Sequence, residues 1–342
     1  MKTGPKGILL INLGTPKSTG GGDMRAYLNQ FLTDRRVIDL PWIRRQLLVR
    51  GMIVPFRYKA STKMYQQIWD AEKGSPLMYH SENFLDKFRA KLPQGYMAEL
   101  AMRYQEPSIS MALDKLRKEH ISELIIFPMF PQYASASTGS AIQEVFEKMS
   151  SWLNFPAVRV INQYFDNVNY VDAVVEKIKA QKVETYDHVI FSYHSIPLKH
   201  ILDADPSHCH CHQGGAQGCC DKIININQLC YRAQCVHSSK AFAEKLCLDD
   251  SRYTVTFQSR LGKAEWVKPY TVEVLKELAA AGKKKVLVAS PAFTADCLET
   301  LFEIGIEYAE DFKKWGGEKL DYVESLNDSD LWVNTVLKLT TT

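Results

Sequence analysis

Gly7-Ile-Leu-Leu-Ile-Asn-Leu-Gly-Thr-Pro16 decides how the chain is read. Its uncharged apolar core is too short for a helix, shows no polar alternation, and is closed by a glycine and a proline. Such a run reads as a strand buried on both faces. Working outward, runs of the same kind recur at Leu124-Ile-Ile-Phe127, Val189-Ile-Phe-Ser-Tyr193, Thr254-Val-Thr-Phe257 and Val286-Leu-Val-Ala-Ser290. Segments 80–92, 106–119, 139–151, 167–181, 269–281 and 296–315 repeat apolar residues at three and four, the spacing of helices that cover a sheet. The fold class is therefore α/β, doubly wound, with parallel sheets. Trp152-Leu-Asn-Phe-Pro156 breaks the pattern, and Val158-Arg-Val-Ile161 is expected to open a second round. This predicts domains at 1–155 and 156–326, with a closing helix within 327–342 that is free to pack back on the first.

The chain has 342 residues, 46% of them hydrophobic and 24% charged, enough to bury a real core and to exclude a disordered protein. A net charge of +3 argues against a dedicated nucleic-acid binder. No stretch approaches the ~18 apolar residues of a spanning helix, and the N-terminus does not read as a secretory signal, so a cytoplasmic protein is expected. Eight cysteines would be unremarkable, but six of them lie between Cys209 and Cys235. In a reducing compartment, thiols crowded in this way are more often metal ligands than disulfides.

Open α/β sheets place their ligands at the carboxyl ends of strands, and several strand ends here carry unusual residues. Gly20-Gly-Gly22 and Thr138-Gly-Ser140 match no phosphate-binding fingerprint and read as turns and caps. His194 ends a strand three residues before a proline, where a neutral imidazole could accept protons near pH 7 or simply be hydrogen-bonded. From 296 to 312 the chain carries Asp296, Glu299, Glu303, Glu307, Glu310 and Asp311 with no Lys or Arg. Helical spacing puts the first four on one face, which reads either as a path for a hard divalent cation or as a solvated face. Segment 35–63 shows the reverse asymmetry. It holds eight basic residues against Asp39 alone, a net +7, interleaved with Leu40, Trp42, Ile43, Leu47, Met52 and Phe56. That mixture suits an anionic amphiphile or membrane surface, or equally an amphipathic helix docked on its own domain. The Cys209, Cys211, Cys219, Cys220, Cys230 and Cys235 cluster lacks a repeated C-x₂-C, so zinc, a [2Fe–2S] cluster and inert thiols all stay open.

Taken together, the chain resembles the ferrochelatases, which insert ferrous iron into a porphyrin in the last step of haem synthesis. The resemblance spans nearly the whole chain. It rests on Asn12-Leu-Gly-Thr-Pro16, Tyr65 with Gly74-Ser-Pro-Leu77, Met102-Arg-Tyr104, and Phe130-Pro-Gln-Tyr133 with Ser137-Thr-Gly-Ser140. Further on it rests on Phe191-Ser-Tyr-His-Ser-Ile-Pro197, Gln258-Ser-Arg-Leu-Gly262 with Trp266, and Phe293-Thr-Ala-Asp-Cys-Leu-Glu-Thr300.

The resemblance implies two similar Rossmann-like domains of the class II chelatase type around a porphyrin cleft. It implies His194 as pyrrole base or metal ligand, Glu299 as the carboxylate across from it, and Asp296, Glu303 and Glu307 along the metal path, on a helix with π-turns. Leu13, Arg57, Tyr65, Ser75, Arg103, Tyr104, Trp266 and Phe293 would line or anchor the macrocycle, with Arg57 and Arg103 available for propionates. Leu13 and Arg103 resemble the protoporphyrin type, which favours protoporphyrin IX over coproporphyrin III as substrate. A non-catalytic tetrapyrrole or iron–sulfur sensor is the contrasting reading. Cys297 stands where animal members have a second histidine. The segment at about 203–235 resembles the insert by which some bacterial members hold a [2Fe–2S] cluster. Cys211, Cys219, Cys220 and Cys230 are the favoured ligands, with Cys209 and Cys235 as rivals. The implied partners are protoporphyrin IX, Fe²⁺ as substrate, and a membrane touched peripherally by the 35–63 lip; monomer and homodimer both stay open.

Overall fold

The computed structural model describes residues 4–205, 207, 211, 218–260, 262 and 264–342. Two four-stranded sheets carry the fold, both entirely parallel. The first contains β1 (Lys6–Gly14), β2 (Tyr96–Tyr104), β3 (Glu123–Pro128) and β4 (Ala157–Val160), in the order β2-β1-β3-β4. The second contains β5 (His188–His194), β6 (Tyr253–Gln258), β7 (Lys285–Ala289) and β8 (Lys319–Val323), in the order β6-β5-β7-β8. The same strand order occurs twice. The chain forms two compact units: one holds the residues up to Phe130 with Ser135–Asn162 and Asn327–Thr342, the other Pro131–Ala134 and Gln163–Leu326.

In the first unit, Leu9, Ile11, Leu124 and Ile126 pack against Ile109, Leu113 and Leu116 of helix Ile109–Lys118 and against Val145 and Met149 of helix Ser140–Met149. Each such side chain contributes roughly 1.5–3 kcal/mol through burial. Ser108 caps the first of these helices by accepting from the Met111 N–H at 3.3 Å. Helix Asp330–Thr341 packs in this unit through Trp332, whose ring lies 6.0 Å from Phe84 and 6.4 Å from Phe127. At the end of β1, a Cβ on Gly14 would stand 1.9 Å from the Tyr104 carbonyl oxygen, and its φ is +108°, so only glycine fits where β1 meets β2.

The second unit buries Ile190, Val286 and Val288 against Leu275, Ile304, Tyr308 and Phe312. An aromatic layer of Tyr170, Phe191 and Phe242 lies in the same unit, with Phe242 5.6 Å from Phe191 and 6.0 Å from Tyr170. Asn167 caps helix Val168–Lys179 by accepting from the Asn169 N–H at 3.0 Å.

Three features depart from the sequence reading. The strand expected to open the second round is β4, which pairs with β3 and closes the first sheet. Its four residues, two exposed and two half-buried, carry no signal of which sheet they join. Strands β2 and β8 show no uninterrupted apolar run because charges fall within them; on β2, Glu99 is paired with Arg89 at 2.7 Å and Lys115 at 3.2 Å. The segment read as a helix from 296 begins at Glu299, and is π-helical over Glu299–Tyr308 before continuing as α-helix Ala309–Lys314. Among the described residues no helix is long and apolar enough to cross a membrane.

Candidate functional site

In the second unit, β5 delivers His194 at its carboxyl end, half-buried. The ring Nδ1 lies 2.5 Å from the Ser195 carbonyl oxygen, which assigns the proton to Nδ1 and makes Nε2 the basic atom. The Ser195 N–H in turn donates to the Gln258 carbonyl at 2.7 Å. Phe293 meets the His194 ring edge to face, with centroids 6.4 Å apart. Trp266 pairs with Pro197 through an isolated antiparallel bridge.

Glu299 opens the π-helical segment, and its main-chain carbonyl accepts from the Gln258 side-chain amide at 2.9 Å. The buried Cys297 thiol hydrogen-bonds the Glu299 carboxylate; burial, reinforced by that negative charge, pushes the thiol well up. Glu303 is held more tightly. Its carboxylate accepts from the Ser259 N–H at 3.0 Å, from the Tyr308 hydroxyl at 2.6 Å and from the Ser259 hydroxyl. Ser259 adopts φ +57°, a left-handed conformation uncommon for a non-glycine residue. Glu307 is exposed, and its carboxyl is pushed up by partial desolvation and by the like charges of Glu303 and Asp311.

Asp296 lies apart from this row. It is buried, and its Oδ1 accepts from the Tyr322 hydroxyl at 2.7 Å, the Thr300 hydroxyl at 3.1 Å and the Ser325 N–H at 3.2 Å. Those bonds tie the strand β8 side to the start of the π segment. The structure therefore places Glu299, Glu303 and Glu307 on one element and Asp296 before it.

In the first unit, Leu13 is half-buried at the end of β1, and Thr15 and Ser75 join hydroxyls at 2.7 Å. Tyr65 is buried edge-on to Tyr27 at 6.3 Å and Trp69 at 6.4 Å. Arg103 and Tyr104 surround Asp34. The Arg103 Nη2 lies 2.8 Å from Asp34, Nη1 3.4 Å from Glu144, and Nε 2.7 Å from the Ser140 hydroxyl. The Tyr104 hydroxyl donates to Asp34 at 2.9 Å. Burial raises the Asp34 carboxyl, but hydrogen bonds from Ser140 and the Arg36 N–H, with the Arg103 charge, outweigh it and hold the group below its ordinary value. Arg103 is thus engaged by two carboxylates, whereas Arg57 is exposed.

The basic and apolar stretch folds as helix Trp42–Leu48, a π turn Val49–Ile53 and helix Val54–Ile68. It presents Trp42, Ile43, Leu47, Met52 and Phe56 to solvent, Phe56 with 84% of its surface exposed. Arg45 turns inward and donates to the Leu40 carbonyl at 2.5 Å.

Cys211, Cys219 and Cys230 line one small cavity with Asp205 and Asn227. The Cys220 sulfur lies 3.6 Å from that of Cys219. The Asn227 amide donates to the Cys219 carbonyl at 2.8 Å and the Lys222 carbonyl at 2.9 Å, closing the loop over the cavity. Burial, with the neighbouring Cys219 and Cys230, pushes the Cys211 thiol up to about 12. Cys235 is fully buried in helix Tyr231–Lys245, and burial pushes its thiol well up. Cys209 lies outside the described residues. Among the described residues no three His, Cys, Asp or Glu side chains are arranged to hold a single metal ion.

Sequence reasoning missed Asp34, Tyr231, Gln258, Ser259 and Tyr308. Gln258 and Ser259 stand inside a motif already singled out, so their presence was visible and their partners were not.

The ferrochelatase family profile matches residues 5–342. The chain is 43% identical over 335 residues to the ferrochelatase of Legionella pneumophila strain Paris, covering 97% of each. It is 42% identical over 334 residues to that of Coxiella burnetii strain Dugway 5J108-111, covering 97% of this chain and 92% of the other. Its fold is similar to that of SirB from Bacillus subtilis, solved with Fe³⁺, at a TM-score of 0.55 and 13% identity, over 98% of this chain and 93% of that one. The sirohydrochlorin chelatase SirB of the spizizenii subspecies, solved with cobalt, is similar at a TM-score of 0.55 and 10% identity, over 98% and 94%.

Proposed function

The chain belongs to the ferrochelatase family, and from that premise we propose that it inserts Fe²⁺ into protoporphyrin IX through His194 and Glu299. As a member of that family it is a lyase that forms haem from a porphyrin and ferrous iron. Metallation releases two pyrrole protons and strips water from the cation, so it needs a base and a carboxylate at the reacting centre. The observation that carries the reading is the His194 ring. With Nδ1 turned to the Ser195 carbonyl, Nε2 is the atom that takes a pyrrole proton or meets the metal. Glu299, at the head of the π segment, supplies the anionic oxygens that replace water on Fe²⁺. Glu303 and Glu307 extend that charge along the same segment. Leu13, Tyr65, Ser75, Trp266 and Phe293 would contact the macrocycle, and Arg57 a propionate; Tyr104, fully buried with its hydroxyl on Asp34, does not reach it.

Protoporphyrin IX is preferred over coproporphyrin III on the resemblance of Leu13 and Arg103. Anaerobic assays of the purified protein with each porphyrin and Fe²⁺ test this, and faster turnover of coproporphyrin III would reverse the preference. His194→Ala and Glu299→Gln variants with full activity would overturn the site.

The exposed Trp42, Leu47 and Phe56 among basic residues support peripheral contact with an anionic membrane that supplies the hydrophobic substrate to a cytoplasmic enzyme. Cys211, Cys219, Cys220 and Cys230 support a [2Fe–2S] cluster. Two thiolates at ~2.3 Å from one tetrahedral metal stand ~3.8 Å apart, close to the 3.6 Å between Cys219 and Cys220. Such a cluster would supply a one-electron redox centre. The Asn227 clamp and the Cys211 N–H, which donates to Asp205 at 2.9 Å, would hold the ligand loop in place.

A further inference from the structure

We propose that Gln258 is the positioning residue that sets Glu299 against His194. The proposal rests on the reading of those two residues as the reacting pair. Gln258 is the last residue of β6, stands in register with His194 on β5, and is only 2% exposed. Its main chain and its side chain act in different directions. The main-chain carbonyl accepts from the Ser195 N–H at 2.7 Å, and the Ser195 carbonyl is the one that engages His194 Nδ1. The backbone of Gln258 therefore fixes the peptide that orients the imidazole.

The side-chain amide reaches the other partner. Its Nε2 donates to the Glu299 main-chain carbonyl at 2.9 Å and lies 3.4 Å from the Glu303 carboxylate. Its Oε1 accepts from the Ser192 hydroxyl at 2.7 Å and from the Ser290 hydroxyl at 3.3 Å. A glutamine amide has two N–H donors and two acceptor lone pairs, and here all four are matched. The partners also fix which way the amide faces. Flipped, its oxygen would meet a carbonyl and a carboxylate, with no proton to share. Ser192 belongs to β5, two residues before His194, and Ser290 follows β7, so the one amide ties the strand of the base and its neighbour to the first turn of the π segment.

A π turn makes this link consequential. Its wider i→i+5 winding is an uncommon geometry, found mostly as short interruptions of α-helices at functional sites. Glu299 sits in the first turn of the segment, and a fixed donor on its carbonyl holds the backbone from which the carboxylate projects. The Ser192 hydroxyl also lies 2.9 Å from that of Thr271, which lies 2.8 Å from that of Thr256, so the amide is anchored in a buried polar chain. Such a network is rigid when complete and costly when one member is lost.

Replacement of Gln258 by Met keeps length and volume and removes the amide. Folding is checked by circular dichroism and thermal melting, and steady-state anaerobic kinetics by varying Fe²⁺ and porphyrin separately. The expected result is a loss of kcat of about tenfold or more with the porphyrin KM within about twofold, because placement and not macrocycle binding is disturbed. In a Glu299→Gln background the same replacement should cost less than about twofold, since Gln258 acts through Glu299. A Gln258→Met enzyme with unchanged kcat, a loss confined to porphyrin KM, or losses that multiply in the double variant would each overturn the proposal. Full activity of Glu299→Gln would instead overturn the site reading, which keeps the two failures distinct. Should Gln258→Met fail to fold, the Ser192→Ala/Ser290→Ala pair removes both donors to Oε1 and leaves the amide in place. A loss of about threefold with the same non-additivity is then expected, and its absence overturns the proposal.

Discussion

The Tyr231 phenol donates to the main-chain carbonyl of His194 at 3.0 Å. Tyr231 is buried in the first turn of a helix whose N-cap is Cys230, so one hydrogen bond joins the cysteine-rich segment to the strand end carrying the base. Tyr231→Phe removes the donor and strands a buried carbonyl. We expect a loss of about 1–3 kcal/mol in urea denaturation, and a fall in kcat at unchanged porphyrin KM. Unaltered stability and kcat would mean that the bond carries no weight.

A second relationship concerns Arg103. Its guanidinium is shared by Asp34, Glu144 and Ser140, and Asp34 also receives the Tyr104 hydroxyl. Asp34→Ala leaves a largely buried cation without its main partner, a change that typically costs about 3–5 kcal/mol. Denaturation midpoints check this. If the cluster also shapes the macrocycle wall, the porphyrin KM rises in the milder Asp34→Asn variant.

What the sequence could convey follows from range. Uncharged runs such as Gly7–Asn12 and Val189–Tyr193 announce buried strands because the signal lies in adjacent residues. Asp34 and Arg103 are 69 positions apart, and Gln258 and Glu299 are 41 apart; nothing local records that they meet. Counting α-helical turns groups Asp296 with the acidic row, but the helix starts three residues later and winds as π, so that arithmetic fails at its first member. The row itself, Glu299 to Glu307, is present, and what was hidden is that Glu303 is already saturated by Ser259 and Tyr308.

His188 gives a pH prediction. It is buried at the start of β5, and burial, followed by the Lys283 and Arg252 charges, lowers its pKa to about 4. An unfolded histidine titrates near 6.5. Between those values the unfolded chain binds a proton that the folded one does not, so stability is full above about pH 6.5 and falls as pH drops toward 4. The loss amounts to about 3 kcal/mol for a shift of this size. His188→Gln should flatten that part of the stability profile measured by urea denaturation. Parallel profiles for the two proteins would contradict the assignment.

The exposed lip makes a membrane prediction. Trp42, Leu47 and Phe56 each stand 67–84% exposed, and burying such a side chain yields roughly 1.5–3 kcal/mol. The Trp42→Ser/Leu47→Ser/Phe56→Ser variant should lose at least tenfold in binding to anionic vesicles by flotation. Its turnover of detergent-dispersed porphyrin should fall far less. Equal flotation of both proteins would assign these residues to another role.

The four thiols make the sharpest chemical prediction. If Cys211, Cys219, Cys220 and Cys230 hold an iron–sulfur cluster, protein purified anaerobically is brown and contains two irons and two sulfides per chain, the composition of a [2Fe–2S] group. Cys219→Ser and Cys220→Ser should each lose the visible absorption. Cys235→Ser should keep it, because Cys235 is packed inside a helix against Tyr231, whose hydroxyl already partners it. The rival Cys209 is separated by the same experiment: colour lost in Cys209→Ser and retained in Cys211→Ser exchanges the two ligands. Stoichiometric zinc without sulfide would remove the cluster altogether. Since Cys230 is the N-cap of the helix whose next residue holds His194, loss of the cluster should also shift the hydrogen exchange of the His194–Ser195 peptide, and in Tyr231→Phe that response should vanish.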